Sequence, residues 1–172
     1  MTTTSIDMDS APVQKMRNLL KNPLAINMFM LAKLPLALMA GLKVRNIDAD
    51  ICEVSVPYGW RSTNPFQSTY FAALTMAAEM STGALAISLV RASPRPISML
   101  VVNVEGEFVK KATSLTTFRC EAGQEMSQAV LETLEHGEAV TRRVETIGTS
   151  PDGETIARFW FTWSFKRKAS SK

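Results

Sequence analysis

The sequence has little of what metal sites and disulfide frameworks need. Its 172 residues include one histidine, His136, and two cysteines, Cys52 and Cys120. Histidine-rich or cysteine-rich metal sites and disulfide-dense domains are therefore excluded by counting. A catalytic histidine dyad is not indicated either, because His136 has no second histidine to pair with and precedes Gly137, as at a helix C-terminus. Each cysteine lies in a strand-like run, which predicts inert, half-buried thiols in a reducing cytoplasm rather than nucleophiles.

The familiar nucleotide-binding motifs are also missing. None of the eight glycines stands two positions from another, so a G-x-G-x-x-G fingerprint cannot start, and no Gly-Lys-Ser/Thr indicates a P-loop. The net charge is 19 − 16 = +3, but four of the basic residues lie in the last seven positions. Without that tail the balance is 15 − 16 = −1. Basic charge confined to a terminus does not indicate nucleic-acid binding, and we expect none.

Uninterrupted hydrophobic runs are absent too. The first ten residues lack the basic region and the following apolar run of a secretory signal. The most apolar stretch, residues 19–42, is broken by charges and prolines at Lys21, Pro23, Lys33 and Pro35. Its charge-free windows reach about eleven residues, whereas a membrane span needs roughly 17. We expect no span and predict two helices that cover a core, with Met28, Phe29, Met30 and Met39 either packed there or lining an apolar pocket.

What is present fits one domain with an ample core. The composition is 46% hydrophobic and 20% charged, which is too apolar for a disordered chain and too interrupted for a multi-span membrane protein. The length suits a single domain. We predict a disordered N-terminus over residues 1–12, one domain over 13–167 and a basic tail over 168–172.

Hydrophobic periodicity and turn residues predict an α+β class. Helices are expected over 13–41, a hairpin over 42–57, and a long helix from Tyr70 to about Val90 that Ser68 or Thr69 caps. Four strands follow the prolines at 94 and 96, with a short helix over 123–135 after the second; they cover about 100–108, 115–121, 139–149 and 154–166. The alternation from Leu100 to Phe108 predicts one buried face, and the last strand is aromatic on one face. About six strands with hairpin-length connections favour an antiparallel sheet wrapped around the long helix.

One charged residue is conspicuous within the long helix. Between Arg61 and Arg91 lie 29 residues whose only charged side chain is Glu79. A carboxylate on an apolar helix cannot be buried without hydrogen-bond partners or a raised pKa. Its neighbours at helical spacing are mostly small, which permits close approach of a sheet, a second subunit or a ligand. From these residues alone, a functional carboxylate and one that faces solvent or satisfies local backbone groups are equally well supported.

The run from Asn64 to Gly83 resembles the hotdog-fold acyl-CoA thioesterases of the phenylacetate-pathway type. That family has an Asn before the central helix and a catalytic Asp or Glu fifteen residues later, the spacing of Asn64 and Glu79 here. Its Gly, His and Gly-pair positions are occupied by Gln67, Tyr70 and Phe71-Ala72. The run looks closest to a hotdog-like family known mainly as a domain of unknown function. The resemblance implies a hotdog fold and a homo-oligomer, either a dimer or a tetramer.

The resemblance also implies a function in lipid metabolism, the hydrolysis of an acyl thioester such as acyl-CoA. Glu79 would be the general base or nucleophile, and Asn64 would position water or the carbonyl. The oxyanion and substrate-binding residues would be Tyr70, Phe71, Ala72 and Thr82, at and beyond the helix start. The coenzyme A phosphates would be held by Arg91, Arg95, Lys110 and Lys111. Coenzyme A would be part of the substrate, and no other cofactor and no metal is expected.

Two alternatives stay open. The replaced glycines and histidine are compatible with a non-catalytic module that binds acyl-CoA or fatty acyl groups. The position of the Phe71 and Ala72 amides relative to Glu79 discriminates between this module and an enzyme. An acyl hydratase on the same fold is the weaker alternative, because it would ordinarily use an Asp-His pair and His136 is far from the helix in sequence.

Overall fold

The computed structural model of the protein describes residues 11–168. Five helices and six strands occur in this range: α1 (Ala11–Lys21), α2 (Pro23–Lys33), α3 (Pro35–Ala40), β1 (Lys43–Ile47), β2 (Cys52–Val56), α4 (Phe71–Ala92), β3 (Ile97–Phe108), β4 (Thr116–Cys120), α5 (Gly123–His136), β5 (Val140–Thr149) and β6 (Thr155–Arg167). The first ten residues of the segment predicted to be disordered, and positions 169–172 of the predicted basic tail, lie outside the described residues.

The six strands form one antiparallel sheet around a central helix. The strand order is β1-β2-β4-β5-β6-β3, and α4 packs across the sheet. The core-facing side of α4 is rich in alanine and serine, so the helix backbone approaches the strands closely. The aromatic face of β6 fills the space beside it, with buried Phe159, Phe161, Trp163 and Phe165. The predicted α+β architecture is confirmed.

Helix α4 is held by its surroundings rather than by a side-chain cap. Its N-cap is Tyr70, which makes no capping hydrogen bond, so the predicted cap at Ser68 or Thr69 is wrong. The Ser68 hydroxyl donates instead to Asn64 Oδ1 (3.2 Å), and the Thr69 hydroxyl donates to the carbonyl of Ala112 (3.2 Å). Of the described residues, only this helix is long and apolar enough to cross a membrane, and 67% of its 18-residue apolar window is buried inside the fold. It is the core helix.

The N-terminal region contains three helices where two were predicted. The extra break is at Asn22, whose Oδ1 accepts the amides of Leu24 and Ala25 (3.0 and 3.2 Å) and so caps a new helix that begins at Pro23. The break predicted at Pro35 is confirmed. The prediction that the methionines of this stretch pack in the core is only partly correct: Met30 is buried, but Met28 and Met39 are 60% and 65% exposed.

Strand β3 differs most from its prediction. It pairs only with β6 and forms one edge of the sheet. A register shift between Val101 and Asn103 changes the phase of the alternation, so Leu100 and Val104 lie on opposite faces. The prediction of a buried face is wrong for most of the strand: Leu100 is 65% exposed and Phe108 is 51% exposed. Nothing in the part of the chain that the structure describes covers this edge.

Candidate functional site

Glu79 lies in an apolar cavity beside the middle of α4. The cavity has a volume of about 440 Å³ and takes its walls from α1, α2, α4, Met99 of β3 and Trp163 of β6. No hydrogen bond or ion pair reaches the carboxylate from residues 11–168. Burial raises the pKa of Glu79 above its ordinary value. A carboxyl group with few polar neighbours and a raised pKa binds a proton more tightly than an exposed one, which suits a general base or acid.

The next turn of helix α4, which contains Thr82 and Gly83, shapes the space around the Glu79 carboxylate. A Cβ at Gly83 would lie 3.0 Å from Glu79 Oε1 and 3.4 Å from the Trp163 ring, so glycine leaves the space in which both side chains meet. Trp163 Nε1 donates to Thr82 Oγ1 (3.0 Å), and the Thr82 hydroxyl donates to the carbonyl oxygen of Glu79 (3.0 Å). Thr82 is fully buried. In this structure the Thr82 hydroxyl links Trp163 to the Glu79 carbonyl, and its only proton is already donated; a substrate-binding role for Thr82 stays a prediction.

A second, larger groove opens at the N-terminus of α4. Its volume is about 800 Å³, and its lining includes Asn64, Tyr70, Phe71, Phe108 and Lys111. The amides of Phe71 and Ala72 occupy the first two helical positions, where no acceptor among the described residues reaches them. Unpaired helix-start amides stabilise negative charge that develops next to them. This end of the helix can therefore hold an oxyanion.

Two polar side chains border the same groove. Asn64 Oδ1 accepts the amides of Phe66 (3.0 Å) and Ser68 (3.3 Å), which closes the turn before the helix. Its Nδ2 has no partner among residues 11–168 and is free to donate to a carbonyl. Tyr70 is 49% exposed, and its ring meets that of Phe71 edge to face at 4.9 Å. The Oδ1 of Asn64 thus stabilises the turn, while its Nδ2 can donate a hydrogen bond to a ligand.

The carboxylate and the helix-start amides do not meet within one chain. Phe71 and Glu79 are eight residues apart, which is about 12 Å along the helix axis. They also line different cavities. The structure places Asn64, Tyr70 and Phe71 together in one groove and leaves Glu79 alone in the other.

The family assignment follows from a comparison with protein-family models. The model described as "Domain of unknown function (DUF4442)" matches residues 23–165. The chain belongs to the DUF4442 family. The resemblance to a hotdog-like family of unknown function is therefore confirmed. No curated protein matches the sequence.

Solved structures share the fold of this DUF4442 chain. A probable thioesterase of unknown function from Pseudomonas aeruginosa, PA5026, is 19% identical, with 91% of this chain and 97% of that chain covered and a TM-score of 0.70. A protein of unknown function from Chlorobaculum tepidum is 13% identical, with 98% and 100% covered and a TM-score of 0.72. The thioesterase HI1161 of Haemophilus influenzae is 12% identical, with 85% and 91% covered and a TM-score of 0.61. These likenesses confirm the hotdog fold.

The four cations assigned to coenzyme A in the DUF4442 chain are divided between the two ends of α4. Arg91 lines the Glu79 cavity, whereas Lys110 and Lys111 line the groove at the helix start, about 30 Å away along the helix. Arg95 lines neither. Lys110 is also paired with Glu154 at 2.7 Å. Within one chain these residues do not form a single phosphate site. Sequence reasoning missed Lys33, which joins Arg91 at the Glu79 cavity and was visible only as a lone charge in an apolar run.

The cysteines of this DUF4442 protein are structural. Cys52 and Cys120 are partners across β2 and β4, and both are completely buried, more than the half-buried state predicted. Burial raises the pKa of both thiols, that of Cys120 to about 11. Since the thiolate is the reactive form, neither is a nucleophile at neutral pH. His136 is exposed in the last turn of α5, apart from both cavities.

Proposed function

We propose that this DUF4442 protein hydrolyses acyl thioesters, with acyl-CoA as the substrate class, in the lipid metabolism of a reducing cytoplasm. One observation carries the proposal: the Glu79 carboxylate lies inside an apolar cavity that a hydrocarbon chain would fill, and no described side chain pairs with it. Structural neighbours that are named thioesterases support the same reaction class. No cofactor is invoked beyond the coenzyme A of the substrate.

A homodimer would complete the site. The free edge of β3 offers backbone donors and acceptors to a second copy of the same strand. In an antiparallel pair related by a two-fold axis near mid-strand, Met99 of one copy would approach Phe108 of the other. Met99 borders the Glu79 cavity and Phe108 borders the helix-start groove. The pairing would therefore bring the carboxylate of one chain to the free amides of its partner.

The same pairing would reunite the divided cations. Lys33 and Arg91 border the Glu79 cavity of one copy, and Lys110 and Lys111 border the groove of the other. Together they would surround the entrance to a shared site. These four cations suit the phosphate groups of coenzyme A, because Arg and Lys bind phosphate through charge-assisted hydrogen bonds. The predicted coenzyme A residues thus act between chains in this proposal.

The reaction would use each group at a defined step. Glu79 removes a proton from water, and the oxygen attacks the thioester carbonyl carbon. The resulting oxyanion receives hydrogen bonds from the Phe71 and Ala72 amides, while Asn64 Nδ2 orients the carbonyl. The C–S bond then breaks, and the thiolate takes the proton from Glu79 to leave as free thiol. If Glu79 attacks directly, the C–S bond breaks as a mixed anhydride forms, and the thiolate leaves and takes a proton from solvent; water then hydrolyses the anhydride to the free acid and the Glu79 carboxylate.

The test is thiol release from short, medium, long and aromatic acyl-CoAs. The Glu79→Gln variant removes the charge and keeps the shape, and we expect kcat/KM to fall by about 10² to 10⁴. Glu135→Gln, on the exposed side of α5, removes the same charge elsewhere and should leave turnover unchanged. Full activity in a correctly folded Glu79→Gln variant would exclude this mechanism.

A non-catalytic acyl-binding module is the second candidate. Phe71 stands where the related enzymes have glycine, and its ring meets Phe108 edge to face across the groove at 6.3 Å. That contact narrows the approach of a substrate to the helix-start amides. Equilibrium binding of a thioether analogue of acyl-CoA, which cannot be hydrolysed, distinguishes the two. Binding without turnover of any thioester would favour the module.

A further inference from the structure

The N-terminal part of the chain carries charge of one sign. From Ser10 to Ile47 there is no acidic residue and there are six basic ones, Lys15, Arg17, Lys21, Lys33, Lys43 and Arg45. The rest of the chain holds the other 13 basic residues and all 16 acidic residues. The net charge of +6 for the N-terminal part thus contrasts with −3 for the remainder. The segment that contains the three N-terminal helices and β1 therefore has a positive net charge, which favours anionic partners.

Helix α2 is apolar on two opposite faces. Ile26 and Met30 point inward and are buried. Leu24, Met28 and Leu31, at spacings of four and three residues, form an outer stripe that is 74%, 60% and 59% exposed. A helix that is apolar on all sides is normally covered all round. Its outer stripe has no cover among residues 11–168.

Helix α3 continues this surface. Leu36 and Met39 are 69% and 65% exposed and lie three residues apart. We call Leu24, Met28, Leu31, Leu36 and Met39 the α2–α3 face. Five large apolar side chains over two adjacent helices exceed the scattered exposed residues of an ordinary protein surface.

We propose that the α2–α3 face docks on an anionic membrane surface. Large apolar side chains enter the boundary between headgroups and acyl chains, and the net positive charge of the segment that carries the face attracts anionic lipid. Helix α2 has only 11 residues, so it would lie in the interface rather than cross the bilayer. Docking thus agrees with the absence of a span in this stretch.

Charge decides between a membrane and a second copy of the chain. An isologous contact through the α2–α3 face would bring two positive N-terminal regions together. The resulting repulsion disfavours that contact, whereas an anionic lipid surface is complementary to it. A second copy already has a suitable place at the β3 edge. The observations therefore favour lipid.

The α2–α3 face lies on the same helices that line part of the Glu79 cavity. Phe29, Lys33 and Leu34 line the Glu79 cavity from the same helical region that carries the α2–α3 face. A protein held on a membrane by this face would keep that cavity close to a source of acyl chains. Docking itself does not depend on hydrolysis, since binding to vesicles is measured without any turnover.

The test is flotation of the full chain with two kinds of vesicle, phosphatidylcholine alone and phosphatidylcholine mixed with phosphatidylglycerol. We expect binding to the mixed vesicles, weakened by salt, and little binding to the neutral ones. The double variant Leu24→Asp/Leu31→Asp should lower the affinity for mixed vesicles by about tenfold or more. Gln124→Asp/Gln128→Asp, on the exposed side of α5, adds the same charge and should retain most of the affinity.

Circular dichroism and gel filtration of each variant accompany the flotation. If the aspartate pair fails to fold, Leu24→Ser/Leu31→Ser makes the same test with a smaller change. A wild-type protein that ignores mixed vesicles overturns the proposal, as does equal binding by the two charge-matched variants. Loss of a dimer in Leu24→Asp/Leu31→Asp, without vesicle binding by the wild type, would identify the face as a contact between copies and also overturn it.

Discussion

The two cavities along α4 offer a thioester different chemistry. The cavity beside Glu79 has apolar walls, one carboxylate with a raised pKa, and the cations Lys33 and Arg91. The groove at the helix start has unpaired amides and Asn64 Nδ2, and no carboxylate is among its lining residues. The first can move a proton, but none of its described lining residues offers a free backbone amide at a helix start. The second can stabilise an oxyanion but has no base.

In the proposed mechanism, the base and the oxyanion site of one chain therefore lie in separate cavities. A helix fixes the separation of its residues, so the amide of Phe71 and the carboxylate of Glu79 cannot converge by a local adjustment. In the proposed homodimer, a second copy brings them together. The exposed, unpaired edge of β3 runs between the two cavities, from Met99 at one to Phe108 at the other. The positions of the two cavities at the two ends of β3 therefore support the proposed dimer.

Within the helix-start groove, the largest effect is expected from the loss of one backbone amide. Phe71→Pro removes one amide donor at the first helical position, where proline is well tolerated and no helical hydrogen bond is lost. Removal of one oxyanion donor should lower kcat by about 10² to 10³. Phe71→Ala loses the same ring and keeps the amide, so it should be far more active than Phe71→Pro. Equal activities in thiol-release assays would mean that this amide does not face the substrate.

Mixing two inactive variants tests whether the halves join between chains. Dimers of Glu79→Gln and Phe71→Pro chains would each contain one site in which both groups are intact. Random exchange makes about half of the dimers mixed, with one of two sites active, so about one quarter of wild-type turnover should return. Each variant alone, passed through the same unfolding and refolding step, is the control. No recovery, with mixed dimers shown by mass spectrometry, would separate the two cavities functionally.

A smaller effect is expected at Gly83, on the Glu79 side. Gly83→Ala places a methyl group 3.0 Å from Glu79 Oε1, so the carboxylate must shift by a few tenths of an ångström. We expect kcat to fall by about tenfold, because misplacement of a reacting group is costly in rate. Alanine also favours a helix interior by roughly 0.5 to 1 kcal/mol, so the melting temperature should not fall. A loss of activity together with a loss of stability would indicate misfolding instead.

The sequence was most informative where packing is local and periodic. The hairpin, the long helix and the aromatic face of β6 all followed from spacing and turn residues. Glu79 was identified because a lone charge in an apolar run has a free-energy cost that requires a reason. The break at Asn22 was missed, since an Asn-Pro start inside an apolar stretch is a capping signal that the hydrophobic pattern obscures.

Other features required the three-dimensional arrangement. The exposed alternation of β3 looks the same in sequence as that of a half-buried strand, because position at the sheet edge is set by strand order. The family resemblance implied a site role for Thr82, whereas its hydrogen bond from Trp163, 81 positions away, is visible only in the structure. The division of Arg91 and Lys111 between two cavities likewise depends on the length of α4. None of these relations is a property of neighbouring residues.

The smallest expected effect is a pH dependence of folding stability that comes from the buried Glu79. The pKa of Glu79 is raised by burial, so the folded protein binds its proton more tightly than the unfolded chain does. Wild-type stability should therefore fall as pH rises from the ordinary carboxyl value through the raised one, and the loss should stay constant above both. Below both values the protonated group is neutral in each state and imposes no such penalty.

Glu79→Gln lacks this charge, so at neutral pH it should melt at a higher temperature than the wild type. The difference should shrink toward zero as the pH falls below the ordinary carboxyl pKa. Glu135→Gln, on exposed α5, corrects for the change in net charge. Melting curves of the three proteins across pH make the comparison. A gain in stability that does not depend on pH would mean that the folded protein does not bury the charge of Glu79, and the contrast between the two cavities would lose its electrostatic basis.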